Sequence, residues 1–241
     1  MEGHKGGLCD ANDSVFGRCG VDGGTFDFRA GAVRAAEAFH GAYLTGFPDG
    51  SIRPGAALTR AQLAVIFQRL ADKPDAEAPS SCPDVPAEHW AAEAVGLVCS
   101  AELMNPEPDG LFHPDRGVTG PELAAALARL SRHEEAAARW PALKAGWEAQ
   151  ERSFSTGYGW VMGFDGEQFD PDAPLTRGQT AEIFNALLGR TPASLDNLLI
   201  GMPIFSDNRD ANARYFLPLQ EAAVDHTASQ TGAHECWTAL G

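Results

Sequence analysis

The sequence has few basic residues and no long apolar run. Of its 241 residues, 18 are Lys or Arg and 33 are Asp or Glu, so the formal net charge at pH 7 is −15. Nucleic-acid backbones and anionic membrane surfaces are bound mainly through clustered Lys and Arg. The longest apolar candidate, 198–205, is interrupted by Gly201 and Pro203, far short of the roughly 20 residues that a membrane-spanning helix needs. We therefore expect no nucleic-acid partner and no membrane insertion.

Cysteine is scarce, and no export signal is visible. The five cysteines are an odd number without any C-x-x-C pair, so their spacing predicts neither a zinc site nor a complete disulfide framework. Residues 1–7 lack the basic start and apolar core of a secretory signal. The chain is therefore expected either to be cytoplasmic or to lack its export segment.

The common catalytic motifs are also missing. There is no G-x-S-x-G, no phosphate-binding loop and no dinucleotide fingerprint. The stretch 234–237, His-Glu-Cys-Trp, starts like a zinc-protease helix but lacks the second histidine four residues after the first. No pair among the 33 acidic residues is singled out as a glycosidase pair. We expect no enzyme activity, no metal and no cofactor. Four histidines are isolated in sequence from Cys or acidic clusters and are expected to be ordinary surface or core residues: His40, His89, His113 and His226.

What the sequence does contain is one segment used three times. Each copy has an Asp-Gly turn and, 10, 10 and 11 residues later, a Thr-x-x-Gln or Thr-x-x-Glu box. The box threonines are 60 and 57 residues apart, which indicates a repeated supersecondary unit. The turns and boxes lie at 49–50 and 59–62, at 109–110 and 119–122, and at 165–166 and 176–179.

Each box predicts the start of a helix. In a capping box the threonine and the Gln or Glu three residues later satisfy two backbone amides at the helix start. Apolar residues then recur at i, i+3, i+4 and i+7, which indicates one buried face. Since no helix of about 12 residues buries such a face alone, the copies are expected to pack around a common axis. The face residues are Leu63, Ile66, Phe67 and Leu70; Leu123, Ala126, Leu127 and Leu130; and Thr180, Ile183, Phe184 and Leu187.

Weaker patterns complete the division of the chain. A further helix is expected before each turn, and after residue 190 the pattern restarts in part, with a helix that Pro218 kinks or delays. These expected helices cover 32–39, 87–103, 134–158 (irregular) and 211–226. The expected units are a flexible N-terminal tail (1–30), repeats at 31–73, 82–133 and 134–190 (the third degenerate), and a C-terminal half repeat or closing element (191–241).

These repeats resemble S-layer homology modules, the cell-wall anchoring units of Gram-positive and related bacteria. The shared signature is an Asp-Val-Pro-x-x-x-Trp opening, a Gly-x-x-Asp-Gly-x-x-x-Pro loop and a Thr-Arg-Ala-Glu box. Residues 47–62 match closely, 84–130 match in order but have Gly120 in place of the box arginine, and 160–187 have one extra loop residue. The resemblance covers roughly 32–190.

The resemblance implies an all-α fold in which three helix-loop-helix repeats form a pseudo-threefold bundle. Grooves between the repeats would hold a secondary cell-wall polysaccharide, often a pyruvylated one, and the protein would lie at the cell surface. Gly120 implies that one groove is weak or inactive. The binding residues implied by position are the box arginines Arg60 and Arg177, the loop residues Asp49, Gly50, Asp165 and Gly166, and Trp90 as a platform for a sugar ring.

Other interpretations of these residues stay open at this point. An arginine at a helix start can be an exposed salt-bridging residue, Trp90 can be a core anchor, and the aspartates can be turn formers. The leading function is a non-catalytic envelope-anchoring module. The alternative is a structural or protein-interaction helical repeat that has lost glycan binding. The glycan, the anchored payload and the oligomeric state are not predicted.

Overall fold

Three equivalent helices meet at the centre of the structure. The computed structural model describes residues 36–72, 82–153, 157–166, 168–231 and 234–241, so the expected tail over 1–30 lies outside the described residues. The helices are α1 (Arg60–Arg69), α2 (Ala92–Ser100), α3 (Gly120–Arg129), α4 (Glu134–Arg139), α5 (Pro141–Ser153), α6 (Gly157–Met162), α7 (Arg177–Leu188) and α8 (Phe216–Ala223), and the strands are β1 (Glu37–His40), β2 (His226–Thr231) and β3 (His234–Leu240).

The central helices α1, α3 and α7 begin at the predicted boxes. In each, the threonine side chain accepts a hydrogen bond from the third helical residue, and that residue's side chain accepts one from the threonine amide. The predicted apolar faces are buried, except that Leu70 is half-buried. The prediction of three capped helices sharing one core is therefore confirmed.

The residues just before the three caps form a closed ring of backbone hydrogen bonds. The amide of Leu58 donates to the carbonyl of Leu175 at 2.9 Å, Leu175 donates to Val118 at 2.8 Å, and Val118 donates back to Leu58 at 2.8 Å. All three side chains are buried. The ring marks the pseudo-threefold axis and ties each unit to both of the others.

A second set of helices surrounds the central three. Helix α2 packs on α1, α6 packs on α3, and α8 packs on α7. The irregular helix expected over 134–158 is divided at Trp140 and Pro141 into α4 and α5, and Trp140 and Trp147 are buried in the core. No helix among the described residues has both the length and the apolarity needed to cross a membrane.

The all-α expectation is wrong, because the chain also forms an antiparallel sheet in the order β1-β2-β3. Residues 37–39, expected in a helix, lie in β1 (Glu37–His40). Along β2, the buried His226 and Ala228 alternate with the half-buried Thr227 and Ser229. That period of two is typical of a strand with one buried face, whereas a helical pattern was expected up to residue 226.

The C-terminal region completes the first unit. In the second unit, the carboxylate of Asp84 accepts hydrogen bonds from the loop amides of Phe112 and His113, at 2.9 and 2.7 Å. In the first unit, Asp207 does the same for the amides of Ile52 and Arg53, both at 2.8 Å. Helix α8 follows Asp207 and is therefore the opening helix of the first unit. The sequence pattern predicts that helix at 32–39 instead.

Replacing a central core side chain should weaken the whole bundle. Leu127 is fully buried in α3, so Leu127→Ala is expected to lower the free energy of unfolding by about 2 to 5 kcal/mol, measured by urea denaturation. Leu195→Ala is the matched control, because Leu195 is 46% exposed. An equal loss in both variants would contradict the central-bundle arrangement.

The closure by Asp207 should contribute as much stability as its counterpart within the second unit. Because two loop amides that are at most partly buried lose their acceptor, Asp207→Ala and Asp84→Ala are each expected to cost about 0.5 to 1.5 kcal/mol of unfolding free energy. The exposed Asp115→Ala serves as the control. A cost for Asp84→Ala without any cost for Asp207→Ala would refute the closure.

Candidate functional site

The two box arginines occupy equivalent, buried positions at helix starts. Arg177 is 3% exposed; its Nε donates to the carbonyl of Ile52 and its Nη2 to the carbonyl of Thr45, both at 2.7 Å. The guanidinium also lies over the ring of Phe47, 4.9 Å from its centroid. The arginine of the third box thus holds the loop of the first unit. Burial lowers the pKa of Arg177 to about 10, which leaves it charged at neutral pH.

Arg60 repeats this arrangement one unit further on. It is 6% exposed, and it donates from Nε to the carbonyl of Phe112 at 2.7 Å and from Nη2 to that of Asn105 at 2.8 Å. Its guanidinium lies 4.6 Å from the centroid of the Phe112 ring. The arginine of the first box therefore holds the loop of the second unit, and each arginine bridges two units.

The third junction lacks this bridge. Gly120 replaces the arginine, and a Cβ added there would lie 2.5 Å from the sulfur of Met162. The next residue, Pro121, has no amide hydrogen, whereas Ala61 and Gly178 at the equivalent positions donate to loop carbonyls. The substitution at Gly120 therefore changes the packing of the junction as well as its charge.

A groove of about 800 Å³ lies between the first loop, α1 and the turn before α2. We call it the first groove. Its lining includes two arginines and no carboxylate among the described residues. Trp90, also part of the lining, is 63% exposed and so is not a core anchor. The lining residues of the first groove include Phe47, Gln62, Arg69, Trp90 and Arg177.

The equivalent second groove is smaller and less positive. It encloses about 250 Å³, and its lining pairs Arg60 and Arg129 with Glu107 and Glu122. Glu122 forms ion pairs with Arg116 and, at 3.4 Å, with Arg60. The box residue at this position in the first groove is the neutral Gln62. The second groove therefore offers an anionic ligand less uncompensated positive charge than the first.

The loop residues shape turns. Gly50 and Gly166 have φ of +77° and +76°, a region that favours glycine. The carboxylate of exposed Asp49 accepts from the amide of Ser51 and from Arg53 Nη2, both at 3.0 Å, and these hydrogen bonds, first those from Ser51, lower its pKa to about 2. Asp49 and Gly50 do not line the first groove. The side chain of Asp165 lies outside the described part of the structure.

The structure brings together Trp90 and Arg177 in the first groove but places Arg60 in the second. The sequence interpretation missed Gln62, Arg69 and Phe47 as groove residues. Arg69 had a usable signal, since it and Arg129 both lie ten residues after a box threonine. The identity of a groove-lining residue nevertheless depends on how neighbouring units pack.

His40 and His226 are isolated in the sequence, but the fold places them beside acidic residues. They meet Glu221 and Glu235 beside the sheet, away from both grooves, with one ligand-type atom from each within 4.8 Å of the others. The four residues come from four different elements, so no sequence spacing could have indicated the cluster.

Taken together, these features define a three-unit helical repeat domain with grooves between its units. The family model of the S-layer homology domain matches residues 40–64 and 83–124. This match falls in the first two of the three units.

Two curated relatives come from Acetivibrio thermocellus. "Cell surface glycoprotein 1" is 28% identical over 204 residues, which are 78% of this chain and 9% of that protein. "Cellulosome-anchoring protein" is 30% identical over 164 residues, which are 64% of this chain and 37% of that protein. The chain therefore spans well under half of either relative.

The buried contacts of Arg177 predict a structural cost for its removal. Arg177→Ala leaves two loop carbonyls without their donor, so it is expected to lower the unfolding free energy by about 1 to 3 kcal/mol. Thermal and urea unfolding measure this, with exposed Arg132→Ala as the control. Unchanged stability of Arg177→Ala would mean that the arginine does not hold the loop.

Proposed function

We propose that this chain is a non-catalytic cell-envelope anchoring module that binds secondary cell-wall polysaccharide in the first groove and acts at the cell surface. Its S-layer homology repeats and the names of its two relatives, a cell surface glycoprotein and a cellulosome-anchoring protein, support the anchoring role. The observation that carries the choice of groove is the pair of guanidinium groups, without a lining carboxylate among the described residues, in a protein of net charge −15.

The charge distribution favours an acidic glycan. Arg69 is exposed, and Arg177, whose pKa of about 10 leaves it charged at neutral pH, is hydrogen-bonded to the first loop. A guanidinium binds a carboxylate through two parallel hydrogen bonds, and a partly enclosed groove screens that attraction less than bulk water does. A polysaccharide carrying carboxylates, such as a pyruvylated one, fits this site. The protein's overall negative charge opposes its approach, so recognition is local.

Trp90 supplies the complementary apolar contact. Its ring is 63% exposed at the edge of the groove and packs only loosely against the ring of His89, with centroids 5.6 Å apart. An exposed tryptophan leaves apolar surface in water, which costs free energy unless another molecule covers it. We assign it the role of a platform for a sugar ring, with its face against the ring's C–H bonds.

The remaining predicted site residues act through the loops. Asp49 and Gly50 shape the first loop, Asp165 and Gly166 shape the third, and Arg60 holds the second. In this proposal the second groove, neutralised by Glu107 and Glu122, binds weakly, and the junction at Gly120 does not bind.

A second candidate function is a structural or protein-interaction repeat that has lost glycan binding. The observation favouring it is that Arg60 and Arg177 already donate to backbone carbonyls at 2.7 to 2.8 Å. These arginines would be needed for the fold even if no glycan bound.

Exposed groove residues separate binding from folding better than the buried arginines do. Trp90→Ala and Arg69→Ala are each expected to weaken binding at least about tenfold, because an aromatic platform or a charge-assisted hydrogen bond is lost. Binding is measured by co-sedimentation with peptidoglycan sacculi, prepared with and without their covalently attached secondary polysaccharide. Thermal unfolding should stay unchanged.

Matched controls lie outside the groove. Tyr158→Ala removes another exposed aromatic and Arg132→Ala another exposed arginine, and both should bind as the unaltered protein does. Failure of the folded protein to bind either sacculus preparation would favour the protein-interaction function. Equal binding to both preparations would contradict recognition of the secondary polysaccharide.

A further inference from the structure

A buried cluster of two histidines and two glutamates joins the two ends of the described chain. His40 ends β1, Glu221 lies on α8, His226 begins β2 and Glu235 lies on β3. The side chains of Glu221, His226 and Glu235 are at most 1% exposed, and that of His40 is 15% exposed. Two carboxylates in so dry a place require a compensating cation.

We propose that His40, Glu221, His226 and Glu235 form a structural site for a divalent transition metal, with zinc as the best fit. Two imidazole nitrogens and two carboxylate oxygens are a donor set that zinc accepts. Hard cations such as calcium and magnesium prefer oxygen ligands alone, so imidazole argues against them.

Three spacings between donor atoms are close to those of a tetrahedral centre, and all four donor atoms lie within 4.8 Å of one another. Bonds of about 2.0 to 2.1 Å to a tetrahedral zinc separate neighbouring ligand atoms by about 3.3 Å. His40 Nδ1 lies 3.2 Å from Glu235 Oε1 and 3.6 Å from Glu221 Oε1. His226 Nε2 lies 3.1 Å from Glu235 Oε1. The side chains therefore need little movement to accept a central ion.

Two of the carboxylate oxygens point to the same conclusion. Glu221 Oε1 and Glu235 Oε2 are buried and have no hydrogen-bond donor among the described residues. A buried, unpaired carboxylate oxygen is costly, and native proteins rarely retain one without an ion or water to satisfy it. Zinc bound through Glu221 Oε1 would satisfy one of these atoms.

Outer contacts hold the ligands in the orientation that metal binding requires. The Nδ1 of His226 lies 2.8 Å from the carbonyl of Val224, so it carries the hydrogen and leaves the Nε2 lone pair facing the cluster. The indole nitrogen of Trp237 donates to Glu221 Oε2 at 2.8 Å, and its ring stacks on His226 with centroids 4.0 Å apart. Such supports are typical around metal-binding histidines and carboxylates.

The competing occupant is a pair of protons. Burial lowers the pKa of His226, but the hydrogen bonds that its ring donates to the carboxylates of Glu221 and Glu235 outweigh burial and raise that pKa to about 9. Two imidazolium ions would balance the two carboxylates in charge. They would direct only one N–H each into the cluster and leave carboxylate oxygens unpaired, whereas one divalent ion provides both the charge and the bonds.

The role that follows is to fasten the chain closure. His40 and Glu235 are 195 residues apart, and a metal that clips a long loop removes much of the unfolded chain's freedom. The metal would hold β1, which precedes the first unit, to α8, which completes that unit. This role is independent of glycan binding, since none of the four residues lines the first groove.

The test is zinc binding to the whole 241-residue chain. The chain is stripped with a chelator, dialysed and titrated with zinc by calorimetry, with metal content measured after gel filtration. One zinc per chain is expected, together with a rise in melting temperature on zinc addition. Cobalt substituted for zinc should give the visible absorption of a four-coordinate centre.

Variants separate this site from other metal-binding groups. Glu235→Gln preserves side-chain volume and is expected to weaken zinc affinity at least about tenfold and to abolish the zinc-dependent melting shift. His40→Asn, at the most exposed ligand, is the second variant should Glu235→Gln fail to fold. His234→Asn is the matched control, because His234 is exposed on the same strand.

Three outcomes would overturn the proposal. The first is that the folded, stripped protein does not bind zinc, which would mean that protons balance the charge of the carboxylates. Alternatively, the folded variants bind zinc as tightly as the unaltered protein, in which case zinc binds elsewhere. Loss of binding in His234→Asn alone would likewise assign the metal to the surface.

Discussion

The closed ring of backbone hydrogen bonds at Leu58, Val118 and Leu175 is the constraint on which the rest of the structure depends. Each of these buried amides is paired only with a neighbouring unit, so all three units must be in place before the ring closes. The ring lies directly before the capping threonine of each central helix. Because the grooves lie between units, their geometry follows from this ring rather than from any single unit.

Within that common frame, single positions decide how the junctions differ. Arg177 and Arg60 each donate hydrogen bonds to the loop of a neighbouring unit. At Gly120 the side chain of Met162 occupies the space where a Cβ would lie. Three residues into the next helix, Gln62 leaves the first groove positive and Glu122 neutralises the second. The three junctions of a threefold scaffold therefore need not be equivalent. The charges at two positions per junction are enough to make one groove more positive than another.

Capped helices could be predicted from the sequence because a capping box is local: Thr59 and Gln62 carry the whole signal within one turn. The sheet was missed because its strands are short and rich in polar residues, with little apolar alternation to identify them. The cluster of two histidines and two glutamates could not be predicted for a different reason. His40 meets Glu235 across 195 residues, and only the folded topology brings such distant positions together.

The closure of the chain explains why this topology has both a sheet and an out-of-order unit. The loop at 46–54 is not preceded by an opening helix of its own among the described residues. The amides of Ile52 and Arg53 therefore donate to Asp207, near the other end of the chain. A helix as short as α8 holds its position poorly alone. Pairing of β1 with β2 adds backbone hydrogen bonds directly after α8, and the four-residue cluster links α8 to all three strands. The sheet therefore does for the first unit what chain continuity does for the second: it keeps the opening helix beside its loop.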